Sequence, residues 1–377
     1  MLYLHIPFCR QACHYCDFHF STSLARKPAL VAALAREIAL RAAYLGTPAA
    51  PLPSIYFGGG TPSLLTADEL RRLFDVIGQH FSLAPDAEIT LEANPDDLTP
   101  AWLAALRQTP VNRLSVGIQS FHEPHLRLMN RAHSAAEARA CVRYAQDAGF
   151  NNLSVDLIYG IPAADHRIWE HDLATALLLD APHLSAYALT VEPRTALGHW
   201  TAKGRFVPAA DEFTAHQFEH LTETLGAAGY DHYEISNFAR PGWQARHNSA
   251  YWSGAAYLGV GPSAHSFDGH LTRQANVASN PAYLAALDRH EIPATVENLT
   301  LLDRANEYLM TALRTARGVD LHRLRTEFGR DLAATHGPVL TDLVTRGLAT
   351  TAPDHVLRLT RAGRLVADQI TLDLFGG

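Results

Sequence analysis

Lysine is nearly missing from this chain. Lys27 and Lys203 are the only two among 377 residues, so almost all of the 31 basic side chains are arginine. Against 38 acidic residues the formal net charge is −7, which weighs against a nucleic-acid partner that needs a dominant basic field. No apolar run approaches the ~20 residues of a membrane-spanning helix. The opening residues Met-Leu-Tyr-Leu-His-Ile-Pro carry no basic leader region. Membrane contact is therefore expected to be peripheral at most, and the location cytoplasmic. Internal repeats and low-complexity tracts are also lacking. With 47% hydrophobic and 18% charged residues the chain is globular, not disordered, and its length suits a large domain plus a smaller one. Cysteine is scarce too. The four present are too clustered for a disulfide scaffold and suit a reducing compartment.

Three of those four stand together, Cys9, Cys13 and Cys16, in a C-x3-C-x2-C run. Three neighbouring thiolates can hold three corners of a cubic [4Fe–4S] cluster and leave the fourth iron without a protein ligand. An open iron is a site for chemistry. Zinc is the plainer alternative, with His14 as fourth ligand, although no second Cys/His knuckle follows. Cys141 lies within a helical pattern and reads as a buried small apolar residue.

The first two-thirds of the chain alternates strands and helices. Strands are expected at Leu2–Ile6, Ser54–Phe57, Glu88–Glu92, Arg113–Ile118, Asn152–Leu157 and His183–Leu189. Helices are expected at Leu30–Leu45, Ala67–His80, Pro100–Gln108, Ala135–Ala148 and Ile168–Leu178. Thr66 with Glu69 three residues later spells a capping box for the second of these. The alternation predicts an α/β fold with a parallel sheet, and periodicity alone does not separate a partial (β/α)6 barrel from a doubly wound sheet. Polar motifs at the carboxyl ends of several strands favour the barrel. Residues 1–236 are assigned to it. Asn237–Ser266 reads as irregular structure packed on the barrel within a connecting segment, 237–300. Residues 301–377 read as a small α+β, winged-helix-like domain, with helices at Asn306–Ala316, Leu321–Phe328 and Val339–Arg346 and a strand pair at Leu348–Thr351 and Val356–Leu359. No basic recognition helix is evident there, so it reads as a packing or partner module.

Gly58-Gly59-Gly60-Thr61-Pro62 ends the second strand, where glycines let backbone approach a ligand. Further motifs follow in order: Tyr3-Leu4-His5-Ile6-Pro7-Phe8-Cys9, Glu92-Ala93-Asn94-Pro95, Ser115-Val116-Gly117-Ile118-Gln119-Ser120 and Asp156-Leu157-Ile158-Tyr159-Gly160-Ile161-Pro162. Over essentially its whole length the chain resembles the radical-SAM family of oxygen-independent coproporphyrinogen III dehydrogenases and their relatives. The resemblance implies a partial (β/α)6 barrel, a [4Fe–4S] cluster and bound S-adenosylmethionine (SAM). It implies Cys9, Cys13 and Cys16 as cluster ligands, with Tyr3, Tyr15 and Thr190 beside SAM. Gly59, Gly60 and Thr61 match the glycine-strand contacts, and Glu92 matches an acid near the SAM amino group. Gln119 and Asp156 match groups near the ribose, and Arg131 a partner for the SAM carboxylate.

Two departures matter. The dehydrogenases carry a further cysteine two residues after the third ligand, where this chain has Phe18, and a longer segment ahead of the first. Both departures resemble instead the HemW-type haem chaperones, which are thought to bind haem and pass it to acceptor haemoproteins. His247-Asn248-Ser249-Ala250-Tyr251-Trp252 resembles the haem-binding H-N-x-x-Y-W motif of that group. It implies His247 as an iron ligand, with Tyr251 and Trp252 offering flat apolar faces; His265 lies nearby. Haem and acceptor haemoproteins are thus the expected partners, and a homodimer is left open. The departures point away from dehydrogenase activity. A coproporphyrinogen III dehydrogenase is the alternative, and a non-catalytic haem-binding adaptor the third reading.

Overall fold

The structure, a computed structural model, describes residues 1–46, 50–351 and 355–376. Six strands follow one another through the first half: β1 (Leu2–Ile6), β2 (Leu52–Gly59), β3 (Leu83–Ala93), β4 (Arg113–Gln119), β5 (Asn152–Tyr159) and β6 (His183–Ala188). They lie side by side in chain order, all parallel. A doubly wound sheet reverses its strand order at a switch point. Here no reversal occurs, so the architecture is the partial (β/α)6 barrel. β1 and β5 alternate: Leu2, Leu4, Ile6, Val155 and Leu157 are at 1% exposure or less in the core, while Tyr3, His5, Ser154 and Asp156 stand between them.

Local chemistry sets the helix ends. Helix Ala67–His80 starts at the expected capping box: Thr66 Oγ1 accepts from Glu69 N at 3.2 Å, and Thr66 N donates to Glu69 Oε2 at 2.8 Å. The first helix runs over Lys27–Leu40 rather than Leu30–Leu45, because Pro28 occupies its first turn. Cys141 is buried in the barrel core, as expected of a small apolar residue.

The segment expected to be irregular is not. It holds β8 (Asn237–Ala239), helix Arg246–Trp252 and a further strand, Leu258–Val260, here β9. With β7 (Asp231–Glu234) these complete a nine-stranded sheet in the order β7-β8-β6-β5-β4-β3-β2-β1-β9. The sheet therefore crosses the expected boundary at 236. β7 and β8 add an antiparallel pair at one edge, and β9 pairs parallel to β1 at the other. A separate antiparallel sheet follows, β10 (His265–Phe267), β11 (Thr272–Asn276) and β12 (Ala294–Asn298).

Beyond residue 300, helices Leu301–Leu313, Leu321–Phe328 and Leu332–Thr345 precede a hairpin. Ala349–Thr351 pairs with Val356–Leu359, and the short strand Val319–Asp320 joins as the third member. Helices Arg361–Leu365 and Ala367–Asp373, which periodicity did not suggest, follow. This part has its own core around Leu309, Leu313, Leu324, Leu357 and Leu374. It docks on the barrel through Ala316 N to Tyr233 O and Ile235 N to Arg314 O, both 2.9 Å. No helix among the described residues is long and apolar enough to cross a membrane.

Candidate functional site: a cavity at the carboxyl ends of the strands

The loop leaving β1 carries the cysteines and is pinned on several sides. Cys9 N donates to Ser21 O at 3.1 Å, His14 N to Met129 O at 3.1 Å, and Leu197 N to His14 O at 2.9 Å. Gln11 Nε2 reaches Asn130 Oδ1 at 2.6 Å, and Asn130 Nδ2 returns to Ala12 O at 2.7 Å. So held, Cys9, Cys13 and Cys16 remain free thiols facing one cavity of about 510 Å³. Burial raises the Cys9 thiol and pushes Cys16 up to about 11, so binding iron displaces protons. Among the described residues no three His, Cys, Asp or Glu side chains converge as a single-ion site requires.

The strand ends supply the rest of the wall. Tyr15, Gly59, Gly60 and Thr61 line the cavity with Glu92, Gln119, Arg131, Asp156 and Thr190. The glycines serve the protein's own packing more than expected. A Cβ on Gly60 would stand 2.7 Å from Phe8 O, and one on Gly59 2.7 Å from the His5 ring. Gly59 also has φ +113°, a conformation other residues avoid. The cysteine loop thus lies flush on the second strand.

Glu92 accepts from Tyr56 Oη at 2.7 Å and from Gly59 N at 3.2 Å. Burial, reinforced by the Asp156 charge, lifts its carboxyl to about 7 against those hydrogen bonds and Arg113. Asp156 accepts from Ser115 at 2.9 Å and Ser154 at 2.9 Å. Arg131 donates to Asn94 Oδ1 at 2.6 Å and Gly117 O at 2.7 Å, and points Nη1 at Cys13 Sγ, 3.3 Å away. Its buried Nε has no hydrogen-bond partner among the described residues. Gln119 holds φ +70°, backbone strain of the kind that gathers at binding sites. Two carboxylates, a buried guanidinium and three thiols around one cavity fit a cluster and a zwitterionic ligand such as SAM.

Tyr3 is placed differently. It lines an adjoining cavity, also about 510 Å³, that shares Asp17, Phe18, Gly59 and Glu92 with the first. Arg113, Asn94 and Asn248 line the cysteine cavity and were not anticipated. Arg113 is 1% exposed, and its Nε has no hydrogen-bond partner among the described residues. An arginine opening a buried strand was the available signal.

The H-N-x-x-Y-W segment divides. His247, expected to ligate haem iron, is 1% exposed. Its Nδ1 pairs with Ser54 Oγ at 2.8 Å and its Nε2 with Tyr251 Oη at 3.2 Å, while its backbone N donates to Glu88 Oε1 at 2.9 Å. Both ring nitrogens are thus hydrogen-bonded within the protein's own structure. Tyr251 and Trp252 do reach open space, in a cavity of about 320 Å³ shared with the C-terminal helices.

Comparison with known proteins agrees with this geometry. The chain matches the Radical SAM superfamily over residues 3–173 and the HemN C-terminal domain over residues 299–366. It is 36% identical to the Heme chaperone HemW of Bacillus subtilis, covering 98% of this chain and 97% of that one. Its identity to the protein of the same name from Mycobacterium tuberculosis is 37%, over 100% and 94%, and to that of Escherichia coli 32%, over 99% and 97%. Among solved structures, the coproporphyrinogen III oxidase HemN of Escherichia coli superposes with a TM-score of 0.84 at 24% identity, covering 99% of this chain and 89% of that one. The chain belongs to the radical SAM superfamily and, within it, to the HemW family.

Proposed function

We propose that the protein carries haem and delivers it to acceptor haemoproteins. The carrying observation is that relatives named Heme chaperone HemW match it at 32–37% identity over almost its entire length. The superposition on an oxidase at 24% identity speaks for the fold alone. Phe18 adds support. It stands 70% exposed at the rim shared by both 510 Å³ cavities and offers a flat apolar face where the dehydrogenases place a cysteine.

In this reading Cys9, Cys13 and Cys16 hold the cluster. Glu92, Gln119, Arg131 and Asp156, with Gly59, Gly60, Thr61 and Tyr15, hold SAM. Bound together, those groups supply one-electron reduction of a sulfonium. The chain's own residues position it: Glu92 accepts from an ammonium, Arg131 meets a carboxylate, and the barrel excludes water. We place the protein in the cytoplasm, without a nucleic-acid partner and with membrane contact at most peripheral.

Haem added to cluster-loaded protein should give a saturable Soret band at about one haem per chain. Incubation with coproporphyrinogen III, SAM and a reductant without oxygen should yield no protoporphyrinogen. Multiple-turnover formation of that product would instead establish the dehydrogenase. If a cluster-free variant still hands haem to an apo-haemoprotein, the cluster is structural and the adaptor reading stands. Sedimentation with and without the cluster decides whether the carrier is a homodimer.

A further inference from the structure

The cavity of about 320 Å³ lies where the C-terminal helices meet the rest of the chain, and the SAM reading makes no use of it. Its volume falls in the range of ligand sites, roughly 300–1,000 Å³. One part of its wall is aromatic. Tyr251 meets Tyr257 edge to face at 4.7 Å between centroids, and Tyr308 stacks on Phe328 at 5.5 Å. The other part is cationic, with Arg273, Arg304 and Arg323 facing the single carboxylate of Glu307.

The three arginines are not equivalent. Arg323 is engaged elsewhere: Nε donates to Glu327 at 2.8 Å and the guanidinium lies over the Tyr308 ring at 4.8 Å. Arg273 of β11 and Arg304 of helix Leu301–Leu313 converge on Glu307, which accepts from Arg304 Nη1 at 2.7 Å and from Arg273 Nη2. Two guanidiniums on one carboxylate leave a positive surplus. Glu297, the further partner of Arg273, is 3.5 Å away with a side chain 60% exposed, so water screens it. Arg304 is the more telling. Its side chain is only 12% exposed and packs on Phe267, with Cζ 4.4 Å above the ring. Of its five N–H donors, one is hydrogen-bonded among the described residues, to Glu307. Enclosing a guanidinium with donors unmet costs free energy that an acceptor in the cavity would recover.

Flat apolar faces beside a planar, forked donor match a conjugated ring that carries carboxylates. Resting on the haem-carrier reading, we infer that Arg304 and Arg273 clamp a haem propionate, yielding part of their contact with Glu307 to it. The iron's ligand stays as the motif implies. Tyr251 connects the two ends, since its Oη meets His247 Nε2 at 3.2 Å while its side chain lines the cavity. Arg304 belongs to the C-terminal domain and Arg273 to the sheet before it, so the clamp gives that domain a part in holding the cargo. The plainer reading, a structural bridge through Glu307, predicts lost stability but no preference for a carboxylate.

Full-length, cluster-loaded protein is titrated with ferric haem and with ferric haem dimethyl ester, whose propionates are esterified, and the Soret band records uptake. The wild-type protein should prefer haem by roughly ten- to a hundredfold, the effect of removing one partner of a charge-assisted contact. Arg304→Gln should abolish that preference by weakening haem alone, with the Soret position and the ester's affinity unchanged; a misfolded variant would lose both ligands. Glu307→Gln approaches from the other side. It releases both guanidiniums and should tighten haem but not the ester, a gain that damage to the fold does not produce. Equal wild-type affinity for the two ligands, a preference that survives Arg304→Gln, or haem weakened alone by Glu307→Gln would overturn the clamp while leaving the carrier reading intact. Uptake of neither ligand by the wild-type protein would remove both.

Discussion

The cysteine loop and helix Arg246–Trp252 make an instructive pair, since each carries a short motif that announces chemistry. In the loop, the backbone is tied down and the three thiols, in no disulfide, face a cavity, with Cys13 Sγ accepting from Arg131. In the helix, the leading histidine is turned inward and saturated by Ser54 and Tyr251. What separates them is where the hydrogen-bonding capacity goes: outward to a ligand in one, inward to the fold in the other. A motif names residue types, and the fold decides where their valences point.

That contrast is most easily broken at the cysteines. Replacing Cys9, Cys13 or Cys16 with Ala should abolish the broad charge-transfer absorption after anaerobic reconstitution, where about four irons and four sulfides are otherwise taken up. Cys141→Ala, in the core, should retain it; cluster loss there would undo the three-ligand assignment.

Next in size are the SAM contacts. Glu92→Ala or Arg131→Ala, with the cluster intact, removes one partner of a charge-assisted contact, about 1.5–3 kcal/mol. Calorimetry should then show affinity falling roughly ten- to a hundredfold. Unchanged affinity in both variants would mean that SAM lies elsewhere.

His247→Ala should cost stability, about 2 kcal/mol by urea unfolding at pH 7, because the Ser54 and Tyr251 hydroxyls lose a partner. Its pH dependence sharpens this. Burial depresses the folded-state pKa to about 3, against about 6.5 in the unfolded chain. Between those values the unfolded state binds a proton that the folded state does not, so wild-type stability falls as pH drops below about 6.5. The variant lacks that loss. Its deficit should shrink by about 1.4 kcal/mol per pH unit from pH 6 to 5, and a constant deficit would show that the ring titrates in the open.

The smallest effect belongs to a site far from both segments. Thr66→Ala should lower stability by about 1 kcal/mol through loss of the cap without altering iron content or SAM affinity.

Much of this was legible beforehand because it is local. The Thr66–Glu69 box, the six parallel strands and the cysteine spacing each depend on residues a few positions apart. Of the ten residues expected around SAM, nine, from Tyr15 to Thr190, line the cysteine cavity, and Tyr3 lines the adjoining one. β9 was not legible: Leu258–Val260 is too short for any period to register, and its partner, Leu2–Leu4, lies more than 250 residues earlier in the sequence. The fate of His247 was not legible either, since Ser54 and Glu88 reach it from 193 and 159 residues away. Arg113 hid inside a strand whose apolar neighbours masked it.

The placement of β9 has a bearing on how the protein is made. The strand that presents the cysteines gains its second neighbour only from Leu258–Val260, with Leu258 N donating to Met1 O at 3.0 Å. At ribosomal speeds of about 5–20 residues per second, that neighbour emerges roughly 12–50 seconds after β1. Until then β1 is an open sheet edge. Chains arrested on the ribosome before residue 258 should accordingly reconstitute less cluster than released ones. On that outcome, metal insertion would be a late event in biogenesis, timed by a three-residue strand.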